Sequence, residues 1–146
     1  MDKTEMFKKI EENRDFIISL GDRLFDCPEL GFKEYKTAEI IKENFDAMGI
    51  PYESGIGETG VCAHIGEGDY HIAVVCDIDA LPSKIGEGTI HSCGHSIQTT
   101  IGLAAAKMLK ETGIAKNSGV KVSFIFTPAE EFIDFDYRDS LIKERK

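Results

Sequence analysis

Val120-Lys121-Val122-Ser123-Phe124-Ile125-Phe126 runs directly into Thr127-Pro128-Ala129-Glu130-Glu131. Its β-branched and aromatic residues make it the clearest strand in the chain. A second apolar run, Ile72–Cys76, also ends in acids, in Asp77-Ile78-Asp79-Ala80-Leu81-Pro82. Such a continuous run predicts a strand covered on both faces. Between the two lies Ile101–Leu109, rich in alanine and apolar nearly all round, which predicts a deeply buried helix. Strands alternating with helices predict an α/β fold with a mixed, mostly parallel sheet flanked by helices.

Upstream, Met6, Ile10, Ile17, Leu20 and Leu24 recur at helical spacing. They predict one long amphipathic helix that ends before Cys27-Pro28. Ile41, Phe45 and Met48 mark one face of a second helix, with Gly49 as its stop. Val61, Ala63 and Ile65 alternate as in a half-buried strand, followed by a turn at residues 66–69. Residues 83–90 read as a surface loop. After Phe132 and Phe135 comes a charged tail, Arg138–Lys146, with no strand or cap, which reads as a fragment or a truncated frame.

The chain has 146 residues, enough for one domain with a core that needs no disulfides. Its formal charge of −9 argues against nucleic acid and anionic membrane as partners. Cys27, Cys62, Cys76 and Cys93 fall in different elements without framework spacing. They read as reduced, which points to a cytoplasmic protein. Met1–Lys9 is charged and lacks the apolar core of a secretion signal. No stretch approaches the roughly 18–20 apolar residues of a membrane span.

Ligands of open α/β sheets bind at the carboxyl ends of strands, where both acidic pairs are expected. Asp77 and Asp79 project to one side if extended, and only one of them need face a site. Glu130 and Glu131 point in different directions. One can ligate a metal while the other takes a proton from water. The alternative for this pair is a helix N-terminus, where acids favour the dipole and Pro128 fits the first turn. His91-Ser92-Cys93-Gly94-His95-Ser96 offers a thiolate sulfur and an imidazole nitrogen from one turn, a pairing suited to zinc or a similar divalent ion. Gly94 permits the sharp path, and a helix starting here would lower the Cys93 pKa. Alone, Cys-Gly-His is weakly specific, because a buried cysteine beside a surface histidine is the commoner arrangement. His91 reads as supporting or structural, His64 and His71 as ordinary strand residues, and Cys27, Cys62 and Cys76 as core.

Taken together, six segments resemble the amidohydrolase branch of the aminoacylase/carboxypeptidase zinc metallopeptidase family. They are Pro28-Glu29-Leu30-Gly31-Phe32-Lys33-Glu34, Thr37-Ala38, Thr59-Gly60-Val61, Asp77-Ile78-Asp79-Ala80-Leu81-Pro82, His91-Ser92-Cys93-Gly94-His95 and Pro128-Ala129-Glu130-Glu131. That branch includes hippurate hydrolases, N-acyl-amino-acid amidohydrolases and auxin-conjugate hydrolases. The resemblance implies Cys93, His95 and Glu131 as metal ligands, Glu130 as general base and Asp79 as a supporting acid. It implies a divalent metal, zinc or manganese or else cobalt, and a small N-acyl amino acid or peptide as substrate.

Residues 1–146 would be the N-terminal half of a metallohydrolase catalytic domain. The lid or dimerisation domain and the C-terminal half would then lie outside these residues, and a homodimer is expected only at full length. The family usually carries Asp where Ser96 stands and His where Gln98 stands. It also has two further metal-binding histidines, whereas no histidine follows His95. Enzyme status is therefore open between two readings. One is a metal-dependent amidohydrolase completed by further segments, and the other a non-catalytic truncated homologue or metal-binding remnant. A purely structural acidic α/β domain is the third alternative.

Overall fold

The computed structural model describes residues 3–131 and 134–144. The Val120–Phe126 pattern forms β6 (Val120–Thr127), with Val122, Phe124 and Phe126 in the core. On one side β6 pairs antiparallel with β2 (Gly60–Ile65), and on the other parallel with β3 (Tyr70–Asp77). β1 (Tyr52–Ile56) closes a hairpin with β2, giving the sheet order β1-β2-β6-β3. The sheet is mixed and flanked by helices, as expected. The sheet is not mostly parallel, however: of its strand pairings only β3–β6, joined by a helical crossover, is parallel, while the β1–β2 hairpin and the β2–β6 pair run antiparallel.

Helices α2 (Arg14–Phe25), α3 (Tyr35–Met48) and α4 (His95–Thr112) contribute to the core that lies on one face of the sheet. Leu24, Ile41, Phe45, Leu103 and Phe124 are wholly buried there. The Phe45 ring meets Phe126 edge-on at 5.7 Å and stacks on Tyr52 at 5.9 Å. Gly49 ends α3 in the left-handed conformation, as its position predicts. β4 (Leu81–Pro82) and β5 (Thr89–Ile90) pair as a small ribbon that brackets the exposed loop 83–88. The short helix α5 (Ile114–Asn117) leads into β6.

Three expectations need correction. The long N-terminal helix is two helices, α1 (Lys3–Glu12) and α2, broken at Asn13. The Asn13 side-chain amide donates to the Lys9 carbonyl at 3.0 Å, a local bond of the kind that competes with the helical ladder. β3 is not covered on both faces. It is an edge strand, and Ile72 and Val75 are 53% and 51% exposed. α4 is buried along one face only: Leu103 and Ala106 are wholly buried, whereas Ile97 and Ile101 remain above 60% exposed. The charged tail forms α6 (Phe135–Glu144) with Leu141 buried, while Phe132 lies outside the described residues. Among the described residues, no helix is long and apolar enough to cross a membrane.

Candidate metal centre

The β3–β6 register sets Asp77 beside Thr127, so both acid-bearing segments leave the sheet at the same end. The Ile78 N–H donates to the Thr127 carbonyl at 3.1 Å, and the Ala80 N–H to the Glu29 carbonyl at 2.7 Å. Between those two bonds Asp79 turns inward until it is 1% exposed. Asp77 stays at the strand end. Its N–H donates to Gln98 Oε1 at 2.9 Å and its carbonyl accepts from Thr99 Oγ1 at 3.1 Å, which ties the strand to the first turns of α4.

His95 opens α4 directly after Gly94, whose φ is +90°. Glycine adopts that backbone path without strain. Nδ1 of His95 donates to the backbone carbonyl of Asp79 at 2.9 Å. A carbonyl can only accept, so the proton belongs on Nδ1 and the Nε2 lone pair faces outward. Nε2 lies 3.8 Å from Glu130 Oε2 and 4.0 Å from Glu131 Oε1. The Asp79 carboxylate accepts the Glu131 N–H on Oδ2 at 3.0 Å. Its Oδ1 sits 3.2 Å from His95 Nδ1, but that nitrogen's proton is committed to the carbonyl. Oδ1 is therefore buried without a hydrogen-bond partner among the described residues.

Donor atoms of Asp77, His95 and Glu130 all lie within 4.8 Å of one another. Cys93, expected as a ligand, is exposed and falls outside that group, against Glu131, and its thiol is pushed up from the usual value. The Glu131 carboxylate is the main cause, as hydrogen-bond partner, followed by desolvation and the charges of Glu131, Asp79 and Glu130. The helix N-terminus was expected to lower this pKa, and the carboxylates outweigh it. Among the described residues no lysine or arginine is ion-paired to Asp77, Asp79, Glu130 or Glu131. Carboxylate oxygens and an imidazole nitrogen gathered without a basic partner, with the Cys93 thiol against Glu131 alongside, are a donor set that fits a divalent cation.

Residues 128–131 form bends rather than a helical turn, so the helix N-terminus reading does not hold for Glu130 and Glu131. Ala129 takes φ +53°, a left-handed conformation that alanine rarely adopts. Its N–H donates to Glu34 Oε1 at 2.8 Å, and Thr59 Oγ1 donates to Glu34 Oε2 at 2.6 Å. Glu34 is wholly buried, and desolvation raises its pKa. Its place under the acidic pair was not readable from the sequence, and neither was the part played by Asp77.

The other histidines lie apart from the donor group. His91 is partly buried near the Phe25 ring, with the backbone of Leu24 and Cys27 beside its imidazole. Burial lowers its pKa, which favours the neutral imidazole. His64 and His71 approach the Ser123 hydroxyl on the sheet, at 2.7 and 2.5 Å.

Residues 73–136 match the model of peptidase family M20/M25/M40. IAA-amino acid hydrolase ILR1-like 5 of Arabidopsis thaliana is 37% identical over 134 residues, which cover 84% of this chain and 30% of that protein. Thermostable carboxypeptidase 2 of Saccharolobus solfataricus is 32% identical over 148 residues, 90% of this chain and 36% of that one. The YXEP protein of Bacillus subtilis, a dinuclear metal binding peptidase from M20 family, superposes with a TM-score of 0.73 at 32% identity. That match covers 83% of this chain and 36% of the other. The chain thus spans about a third of the length of the relatives it matches.

Proposed function

As this chain belongs to peptidase family M20/M25/M40, we propose that it is the N-terminal half of a metal-dependent amidohydrolase catalytic domain. The reaction is cleavage of the amide bond of an N-acyl amino acid or small peptide, in the cytoplasm. The observation that carries the proposal is the convergence of Asp77, His95 and Glu130 at the carboxyl ends of β3 and β6, with Cys93 against Glu131 beside them.

Cys93, His95 and Glu131 are the residues that would hold zinc, manganese or cobalt, with Asp77 facing the same point. The bound ion would supply Lewis acidity toward the substrate carbonyl. The Asp79 carbonyl holds the His95 ring by Nδ1 and leaves Nε2 free to ligate. The Asp79 carboxylate holds the backbone at Glu131. Glu130, with half its side chain exposed, can reach water. It accepts the proton of the attacking water and delivers it to the departing amine.

A second reading, a metal-binding remnant without turnover, is favoured by Gln98. Its side chain is spent on the Asp77 amide, at a position where the family usually carries histidine. One experiment separates the two: cobalt and zinc titration of protein purified without chelator, followed by a hydrolysis assay on a hippurate-like substrate with added zinc, manganese or cobalt. Binding with hydrolysis that Glu130→Gln abolishes, at unchanged metal content, supports the enzyme. Binding without hydrolysis supports the remnant. Absence of binding removes both.

A further inference from the structure

The geometry points to Glu34 as the positioning residue for the Glu130-Glu131 pair, a role that rests on the metal reading above. Glu34 lies just before α3, far in sequence from both its partners. It is a wholly buried acid with no lysine or arginine beside it among the described residues. Buried carboxylates without a basic partner are costly unless hydrogen bonds replace the lost water. Here two donors do so. Thr59 Oγ1, from the β1–β2 turn, reaches Oε2 at 2.6 Å, and the Ala129 N–H reaches Oε1 at 2.8 Å. Glu34 therefore pins the strained Ala129, at φ +53°, against the β1–β2 hairpin.

The same short segment is held at a second point. Asp79 Oδ2 accepts the Glu131 N–H at 3.0 Å, so buried carboxylates grip residues 129 and 131 on either side of Glu130. Pro128 packs against the hairpin as well: a Cβ at Gly60 would stand 3.1 Å from its Cδ. With amides 129 and 131 both fixed, the Glu130 and Glu131 side chains leave a backbone that cannot rotate freely. What Glu34 supplies is reach rather than charge, since its partners are neutral donors.

The test compares Glu34→Asp, which keeps the charge and shortens the reach by one methylene, with Glu34→Gln, which keeps the reach. The amide oxygen of Gln can accept from Ala129 N–H while its NH₂ donates to Thr59 Oγ1. Two readouts are taken on the whole chain: the absorption spectrum and affinity of added Co(II), and site-resolved hydrogen exchange. Glu34→Asp is expected to weaken Co(II) binding about tenfold or more, as for other groups that orient ligands. It should also release amides 129 and 131 to exchange while β6 stays protected, and Glu34→Gln should stay within about threefold of the wild type in Co(II) affinity.

Wild-type Co(II) binding and exchange in Glu34→Asp would overturn the positioning role. Loss of protection across β6 together with 128–131 would also overturn it, because Glu34 would then be holding the fold rather than the site. A wild-type chain that binds no Co(II) would sink the metal reading instead, and the exchange comparison would still decide whether Glu34 clamps the segment.

Discussion

Gly102 of α4 sits directly against Cys76 of β3: a Cβ built at position 102 would fall 2.5 Å from the Cys76 sulfur and 3.4 Å from the Phe126 ring. This close approach brings the helix that starts at His95 down onto the strand that ends at Asp77.

Gly102→Ala should therefore destabilise the chain, although alanine is the better helix former by roughly 1 kcal/mol. Overpacking costs of about 1–3 kcal/mol exceed that gain. Cys76→Ala on the same background should recover part of the loss by vacating the space. Urea midpoints of the single and double variants measure the coupling, and purely additive losses would remove the contact as its cause.

The Cys76 thiol is pushed up to about 11 by burial first and the Asp77 charge second. In the unfolded chain it ionises near the ordinary cysteine value, so above that value the unfolded state has lost a proton that the folded state still holds. Stability then falls as pH rises, from about 9 toward 11, by a total of about 2–3 kcal/mol. Cys76→Ala should flatten this alkaline limb, as read from denaturation at pH 8, 9.5 and 11. An equal slope in both proteins would assign the loss to other groups.

Asp79→Ala removes the acceptor of the Glu131 N–H but leaves the backbone carbonyl that holds His95. It should cost about 1–3 kcal/mol for the amide left unpaired and weaken Co(II) binding. Asp79→Asn keeps an oxygen that can accept from Glu131 and should bind the ion better than Asp79→Ala. Calorimetric titration ranks the three proteins; identical affinities would mean that the Asp79 side chain does not support the site.

At the junction of α1 and α2, Asn13→Ala deletes the side-chain bond to Lys9 without removing a helix cap, since Asn13 makes no capping hydrogen bond. Helical ellipticity at 222 nm should rise, and stability should shift by no more than about 0.5 kcal/mol. Lower ellipticity would show that the break is imposed by packing rather than by Asn13.

Much of this was legible in the sequence for definite reasons. Val120–Phe126 and Ile72–Cys76 declared themselves as strands through residue type, and the acids that follow them had to emerge at strand ends. Which of Asp77 and Asp79 faces the donor group was not legible. The alternation rule fails once the chain leaves the sheet at Ile78 and is bent by the Ala80–Glu29 bond. Glu34 was visible as a motif residue but not as an anchor, because its partners stand 25 and 95 residues away. The exposure of Ile72 and Val75 was hidden too: an apolar run reports what a strand prefers, and the number of faces covered depends on neighbours elsewhere in the chain.

The parallel pairing of β3 with β6 sets a timetable for the site. Tyr70 pairs with Val120 and Asp77 with Thr127, a constant separation of fifty residues. Closing a loop of that length costs roughly 3 kcal/mol of chain entropy before the pairing returns anything. The β1–β2 hairpin and the helices need no such closure and can form early. Asp77 and the Glu130 segment are strangers until the last strand docks, so no partly folded form of this chain that lacks the β3–β6 ladder presents the complete donor group. The lag before metal uptake during refolding thus reports the docking of β6 on β3.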